Sequence, residues 1–350
     1  MVLVLLTAGC PQDLSELGPI KPSDEHKLAK PKLEFFGVAG FLLRWRDEAV
    51  VFDPFFSRPS LPQLLWLTPD VKRINKGMPR TPEATMLLVG HAHYDHLLDV
   101  AWVLNHKTPN ATFYGSRTAG HILRAEVGAE REFEDAEKKM AWLPGPNGPR
   151  PIAREDGWFK SKKGTIRAMP IQSSHAPNAT HIDLMGGSYQ QDLKTLPKSF
   201  RNWKEGQTLA WLVDLLDENG EIAYRIHYQD SSSDAPYGFP PDLGDGRGID
   251  VAILPVASWI QVKRYPQALI ELTQPRLVVL CHWEDFFGGD PQDPKVLRGE
   301  KDVHALYRIV RTALPKASQI VVPRPFSEIA LPPRNPRSVN DFISVDTIER

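Results

Sequence analysis

Between positions 91 and 96 the chain reads His-Ala-His-Tyr-Asp-His, which places three imidazoles and a carboxylate within six residues. Side chains two apart on extended backbone point to the same side, so His91 and His93 face one volume if a strand leads into them. Asp95 and His96 turn back over that volume if a helix starts at the end of the motif. Neutral imidazoles with a few carboxylate oxygens suit zinc and similar borderline divalent cations, and they match neither a calcium nor a magnesium cage. Two such cations held close together lower the pKa of a coordinated water from 15.7 towards about 7, which is hydrolytic chemistry at neutral pH.

The flanking pattern supplies the required elements. Residues 85–90, TMLLVG, form a continuous apolar run short enough for a fully buried strand. Leu97, Leu98, Ala101 and Leu104 then recur near helical spacing, which predicts a helix to about Asn105. Upstream, LEFFGVAGFLLRW and AVVFDPFF read as consecutive strands with Asp47 and Glu48 in the turn between them. Downstream, the strand ATFYGS and a helix from Arg117 to Val127, stopped by Gly128, repeat the strand-then-helix unit. Such alternation builds a layered α/β body. TLAWLVDLL and EIAYRIHYQD flank an Asn219-Gly220 turn, a strong hairpin signal. The strands TIRAMPIQSS, IDVAILPVA, RLVVLCHW and QIVVPRP, with helices over 265–273 and about 302–314, complete the body. Residues 129–164 and about 179–206 read as irregular polar insertions, and the composition after Pro325 is loop-like.

The spacing HxHxDH resembles the signature of the metallo-β-lactamase-fold hydrolases. The longer run HAHYDHLLD, with Tyr94 and Asp99, most resembles the branch containing N-acylphosphatidylethanolamine phospholipase D and L-ascorbate 6-phosphate lactonase. The resemblance implies a four-layer αββα sandwich over residues 33–330, with a metal site at one edge where loops follow strand ends. It also implies three further ligands in order, each after a strand: His175 after TIRAMPIQSS, Asp230 after EIAYRIHYQ and His282 after RLVVLC. His175 would join His91 and His93 at one cation; Asp95, His96 and His282 would hold the second; Asp230 would bridge both. The cofactors expected are two Zn²⁺, with Mn²⁺ or Fe as substitutes, and Asp95, then Asp230, are the candidates for handling the proton. Asp53 in VVFDPFF is similar to the acidic residue that supports the metal loop in this family, and His227 is expected to pack behind the ligands.

The ligand set also discriminates among relatives of that fold. A bridging aspartate argues against β-lactam hydrolysis, and His93 argues against the di-iron flavoproteins, which usually carry an acidic residue there. The expected substrate is a phosphodiester, lipid-derived if the chain works beside a membrane, or a lactone. An iron-dependent sulfur dioxygenase-like enzyme and a glyoxalase-like thioesterase share HxHxDH and stand as alternatives. His181, Tyr237, Trp259 and Trp283, with Phe239, Phe286 and Phe287, lie where they would line a substrate cleft. Cys281 alternates away from the cluster and reads as a buried structural thiol.

Composition narrows the remaining possibilities. The 350 residues are 41% hydrophobic and 24% charged, so the chain has the apolar mass for a sizeable core and is not a disordered polymer. A net charge of −1 gives no basic field for a nucleic acid. Cys10 and Cys281 allow one disulfide at most. Leu6 to Cys10, at the end of the apolar opening MVLVLLTAGC, resemble a bacterial lipobox, which implies lipidation of Cys10, a leader and polar tether over 1–32, and anchoring to the cell envelope. The competing reading is a cytoplasmic chain with a short N-terminal strand or arm. Residues 331–350 are expected to form a peripheral tail.

Overall fold

The computed structural model describes residues 28–145, 148–177, 184–297 and 303–334. The first sheet collects β1 (Lys32–Gly37), β2 (Gly40–Trp45), β3 (Glu48–Phe52), β4 (Ala84–Leu88), β5 (Thr112–Gly115) and β6 (Phe133–Asp135). The second begins with β7 (Phe159–Lys160), β8 (Ile166–Gln172), β9 (Leu209–Leu216) and β10 (Ile222–Tyr228). It continues through β11 (Val251–Pro255), β12 (Leu277–Cys281) and β13 (Gln319–Val321). A last strand, β14 (Glu328–Ala330), returns to the first sheet and pairs antiparallel with β1. The strand orders are β14-β1-β2-β3-β4-β5-β6 and β13-β12-β11-β10-β9-β8-β7. Each sheet is antiparallel in one half and parallel in the other.

Period-two alternation builds three apolar layers from these strands. On β9, Leu209, Trp211, Val213 and Leu215 face the other sheet, where they meet Leu43, Val50, Phe52, Met86 and Leu88. Ala210 and Leu212, the intervening residues, face outward with Ala252, Leu254, Val278 and Leu280. That outer surface is covered by α5 (Gln267–Thr273) and α6 (Val303–Ala313), through Leu269, Ile270, Leu306 and Val310. The outer face of the first sheet is covered by α1 (Val71–Gly77), α2 (Tyr94–Leu97), α3 (Val100–Trp102) and α4 (Arg117–Leu123), through Ile74, Leu97, Val100 and Ile122. Two facing sheets with helices on both outer surfaces make the four-layer αββα sandwich. Each fully buried Leu, Val or Phe in these layers contributes about 1.5–3 kcal/mol relative to exposure. Among the described residues, no helix is long and apolar enough to cross a membrane.

The β9–β10 hairpin forms at the expected turn: Asp217 Oδ1 accepts from the Asn219 and Glu221 amides, and Gly220 takes φ +80°, where a side chain would be strained. Elsewhere the short elements depart from the pattern. The 129–164 insertion contains β6 and β7, and the loop-like region after Pro325 contains β14; strands of two or three residues offer no alternation to read. The helix α1 was not anticipated, and the helix from Arg117 ends at Leu123 rather than at Val127. The helical stretch after the histidine motif breaks into α2, α3 and a π-turn over Val103–Lys107. Glu48 is not in a turn. It opens β3 fully buried, where its carboxylate accepts from Thr85 Oγ1, Ser161 Oγ, Thr165 Oγ1 and the Lys163 and Thr165 amides. Burial raises this carboxyl's pKa, but these donors outweigh it and hold the group below its ordinary value. One ionised side chain thus fastens the turn before β8 in the second sheet to β3 in the first.

Candidate metal centre

Strand ends along one edge of the sandwich deliver the polar side chains. The run after β3 brings Asp53, and the run after β4 brings His91 and His93. His93 keeps extended backbone and caps α2, so the chain reverses there and carries Asp95 and His96 back over the two imidazoles. His175 comes from the segment after β8, Asp230 from the one after β10, and His282 from the one after β12.

Three overlapping groups result, with candidate ligand atoms in each within 4.8 Å of one another: His91, His93 and His175; His91, His96 and Asp230; and Asp95, His96 and His282. Asp230 thus lies between the two outer groups. Its Oδ2 is 2.6 Å from His91 Nδ1 and 3.6 Å from His96 Nδ1. Asp95 Oδ2 is 3.5 Å from His96 Nε2 and 3.4 Å from His282 Nε2. His91 Nε2 approaches His93 Nδ1 to 3.0 Å, and both rings lie 4.7 Å from the His175 ring. All of these residues are buried except His175, which is half-buried.

Several buried polar atoms here lack a hydrogen-bond partner: His93 Nε2, His96 Nδ1, Asp230 Oδ1 and His282 Nδ1, of which His96 Nδ1 has only longer charge contacts to Asp53 and Asp230. Unpaired buried polar atoms are costly, and so many in one place point to a missing electrophile. Imidazole nitrogens with carboxylate oxygens fit a divalent cation of borderline softness. Electrostatics agree with that fit. Desolvation pulls His91 down to about 4 and His93 well below its ordinary value, so both are neutral as metal ligation requires. Burial would also lower His96, but Asp95, Asp53 and Asp230 outweigh it and raise it to about 9. A cation held there would have to displace the His96 proton. Burial works against ionisation of Asp95 and Asp230 alike. The surrounding imidazoles overcome it, holding Asp95 well below the usual carboxylate range and lowering Asp230.

Asp53 supports the loop from behind. Its Oδ1 accepts the Gly90 amide at 3.0 Å, its Oδ2 accepts the Tyr228 hydroxyl, and His96 Nδ1 lies 3.7 Å away. Burial and the Asp230 charge raise its pKa to about 6. Two residues of this support escaped the sequence reading. Tyr228 ties Asp53 to the Ala39 carbonyl, and Gly90 passes so close to Asp230 that a Cβ there would lie 2.1 Å from its carboxylate. A glycine directly preceding the first histidine was the available signal.

Other expected site residues are placed elsewhere. His227 alternates onto the outer face of β10, where its Nε2 bonds the Gly238 carbonyl, so it does not pack behind the cluster. Trp283 is fully buried in the outer layer with α5 and α6, its indole donating to the Pro323 carbonyl, and it lines no cleft. Tyr237 is half-buried in the turn after β10, its amide bonding Asp234, with no contact to the cluster among those described. Trp259 is half-buried against Ala176, Val262 and Tyr265, beside the segment that carries His175. Phe286 lies 5.2 Å from the His282 ring and stacks on Phe287. His181 and Cys10 lie outside the described residues.

No family model and no curated protein matches the chain. Solved structures do. A metallo-hydrolase, Igni18 from Ignicoccus hospitalis, is 14% identical, with 85% of this chain and 97% of that one covered at a TM-score of 0.48. The metallo-β-lactamase-fold protein YhfI from Bacillus subtilis is 10% identical, with 85% and 99% covered at 0.49. The di-iron β-hydroxylase CmlA from Streptomyces venezuelae is 13% identical, with 86% and 54% covered at 0.45. Likenesses at this level transfer no residue role and no activity to this chain.

Proposed function

We propose that this chain is a metal-dependent hydrolase with two cation positions. One would be held by His91, His93 and His175 and the other by Asp95, His96 and His282, with Asp230 shared. The observation that carries this reading is the convergence of seven imidazole and carboxylate side chains, four with a buried atom that has no hydrogen-bond partner, at the edge where the strands end. When bound, zinc at these positions supplies Lewis-acid polarisation of an ester oxygen and a nucleophilic water at neutral pH.

The chain's own groups divide the remaining work. Asp95 keeps 12% of its side chain exposed, which places it beside the path of a proton between substrate and solvent, while its ionised state suits it to holding a cation. Asp230 is 1% exposed and its Oδ2 is engaged by His91, which suits it to holding position. Phe286 supplies an apolar wall beside His282, backed by the stacked ring of Phe287. Half-buried His175 marks the open side.

The substrate class we infer is a phosphodiester or a lactone. The likeness of HAHYDHLLD to the phospholipase D and lactonase branch supports this. The catalytic body would span residues 33–330, and the lipobox-like Leu6 to Cys10 supports anchoring at a bacterial envelope, where a lipid-derived substrate is at hand. Purified chain stripped with a chelator and reloaded with zinc is expected to cleave bis-p-nitrophenyl phosphate faster than simple lactones. Lactone turnover exceeding phosphodiester turnover reverses the substrate order, and no ester turnover with zinc loaded contradicts the reading.

A further inference from the structure

His282 sits in the left-handed region at φ +55°, a conformation that costs a non-glycine residue about 1–3 kcal/mol and persists only where its surroundings impose it. Its amide donates to the Val38 carbonyl at 2.6 Å, and Val38 is itself left-handed at φ +54°. The Val38 amide donates to Glu284 Oε1 at 2.6 Å, and the same oxygen accepts from Arg58 Nη2 at 2.8 Å. Arg58 and Glu284 are 226 residues apart, and their side chains are 1% and 0% exposed. Gly37 leaves the room they occupy: a Cβ there would lie 2.2 Å from Arg58 Nη2 and 2.6 Å from Glu284 Oε1.

The network reaches the other half of the cation site. Arg58, also left-handed at φ +45°, follows Phe56 and Ser57, whose amides donate to Asp99 Oδ2 at 2.6 and 2.8 Å. Ser57 Oγ bonds the other Asp99 oxygen. Asp99 lies just past α2, the helix that carries Asp95 and His96. One buried run, Asp99 to the 56–58 loop to Arg58 to Glu284 to Val38 to His282, therefore spans the two arms that must meet at one cation. His91, His93 and His175 have no part in it.

We propose that Arg58 and Glu284 are positioning residues that set His282 against Asp95 and His96, so that the second cation position depends on them and the first does not. This rests on the two-cation reading above. A buried ion pair is weak evidence for stability, since apolar pairs of similar volume are often as stable, whereas removing one partner strands a charge. The informative variant therefore replaces both, Arg58→Met with Glu284→Leu, and Glu284→Gln alone serves as the second variant.

The experiment is zinc titration of the chelator-stripped full chain by calorimetry, with circular dichroism and thermal melting of the stripped protein. Wild type is expected to take up two equivalents. The double variant should keep its secondary structure, bind the first equivalent as tightly as wild type, and bind the second about 10- to 100-fold more weakly, the usual effect of disturbing a ligand's support. Glu284→Gln, which keeps an acceptor oxygen for the Val38 amide and Arg58, should bind the second equivalent more tightly than the double variant does. If the folded double variant binds both equivalents as tightly as wild type, or weakens both equally, the proposal is overturned while the site reading stands. If wild type takes up no zinc, the site reading falls and this inference with it.

Discussion

Replacing His96 with alanine is expected to cut zinc-dependent ester turnover about a thousandfold or more. His96 belongs to two of the three overlapping groups, meeting Asp230 with one nitrogen and Asp95 with the other. Its loss leaves the second cation position with Asp95, His282 and the shared Asp230, and without a nitrogen on the side His96 occupies. Charge stabilisation by a bound cation is worth several kcal/mol in the transition state, and about 4 kcal/mol is a factor of a thousand in rate. Steady-state kinetics with a phosphodiester reads the effect, and thermal melting checks that the cavity left at this buried position has not unfolded the chain. Turnover within threefold of wild type in a folded variant contradicts a mechanism that needs both positions.

The second large effect is expected at Gly90→Ala, a change of one methyl group that replaces no candidate ligand. The added carbon would sit 2.1 Å from the Asp230 carboxyl carbon and from Oδ2, far inside van der Waals contact. Asp230 cannot retreat freely, because its Oδ2 is bonded to His91 and the residue is buried. Either the shared carboxylate or the 89–91 backbone must shift. A displacement near 1 Å at a catalytic centre costs about a hundredfold in rate. Kinetics should show this loss in kcat with KM little changed, together with weaker binding of both zinc equivalents. Unaltered kcat and zinc affinity would mean that Asp230 does not stand between the two positions.

The histidine motif was legible because its residues are contiguous and lie between two elements with clear periodicity. The remote members, His175, Asp230 and His282, were legible through the family resemblance, whose ligand order asks for a histidine, an aspartate and a histidine, each after a strand; strand ends along one edge of the layered sheets bring them together. That geometry also explains the errors. Trp283 lies two residues past Cys281, where unbroken alternation would keep both between the sheets; the strand ends at Cys281 and His282 is left-handed at φ +55°, so the chain turns and Trp283 enters the outer helical layer. His227 stands three residues before Asp230 but on the outward face of β10. The Gly37–Arg58–Glu284 arrangement left no sequence signal, since a buried ion pair between distant loops has neither period nor spacing. β6, β7 and β14 stayed hidden because they pair at sheet edges over two or three residues, too few to show alternation.

The most direct test of the two-cation centre is anomalous diffraction at the zinc absorption edge from crystals of chain reloaded with zinc. Two peaks are predicted, one about 2.0–2.2 Å from the nearest atoms of His91, His93 and His175 and one equally close to Asp95, His96 and His282, with Asp230 reaching both. Full-occupancy zinc bound elsewhere, with these seven side chains left uncoordinated, would contradict the account.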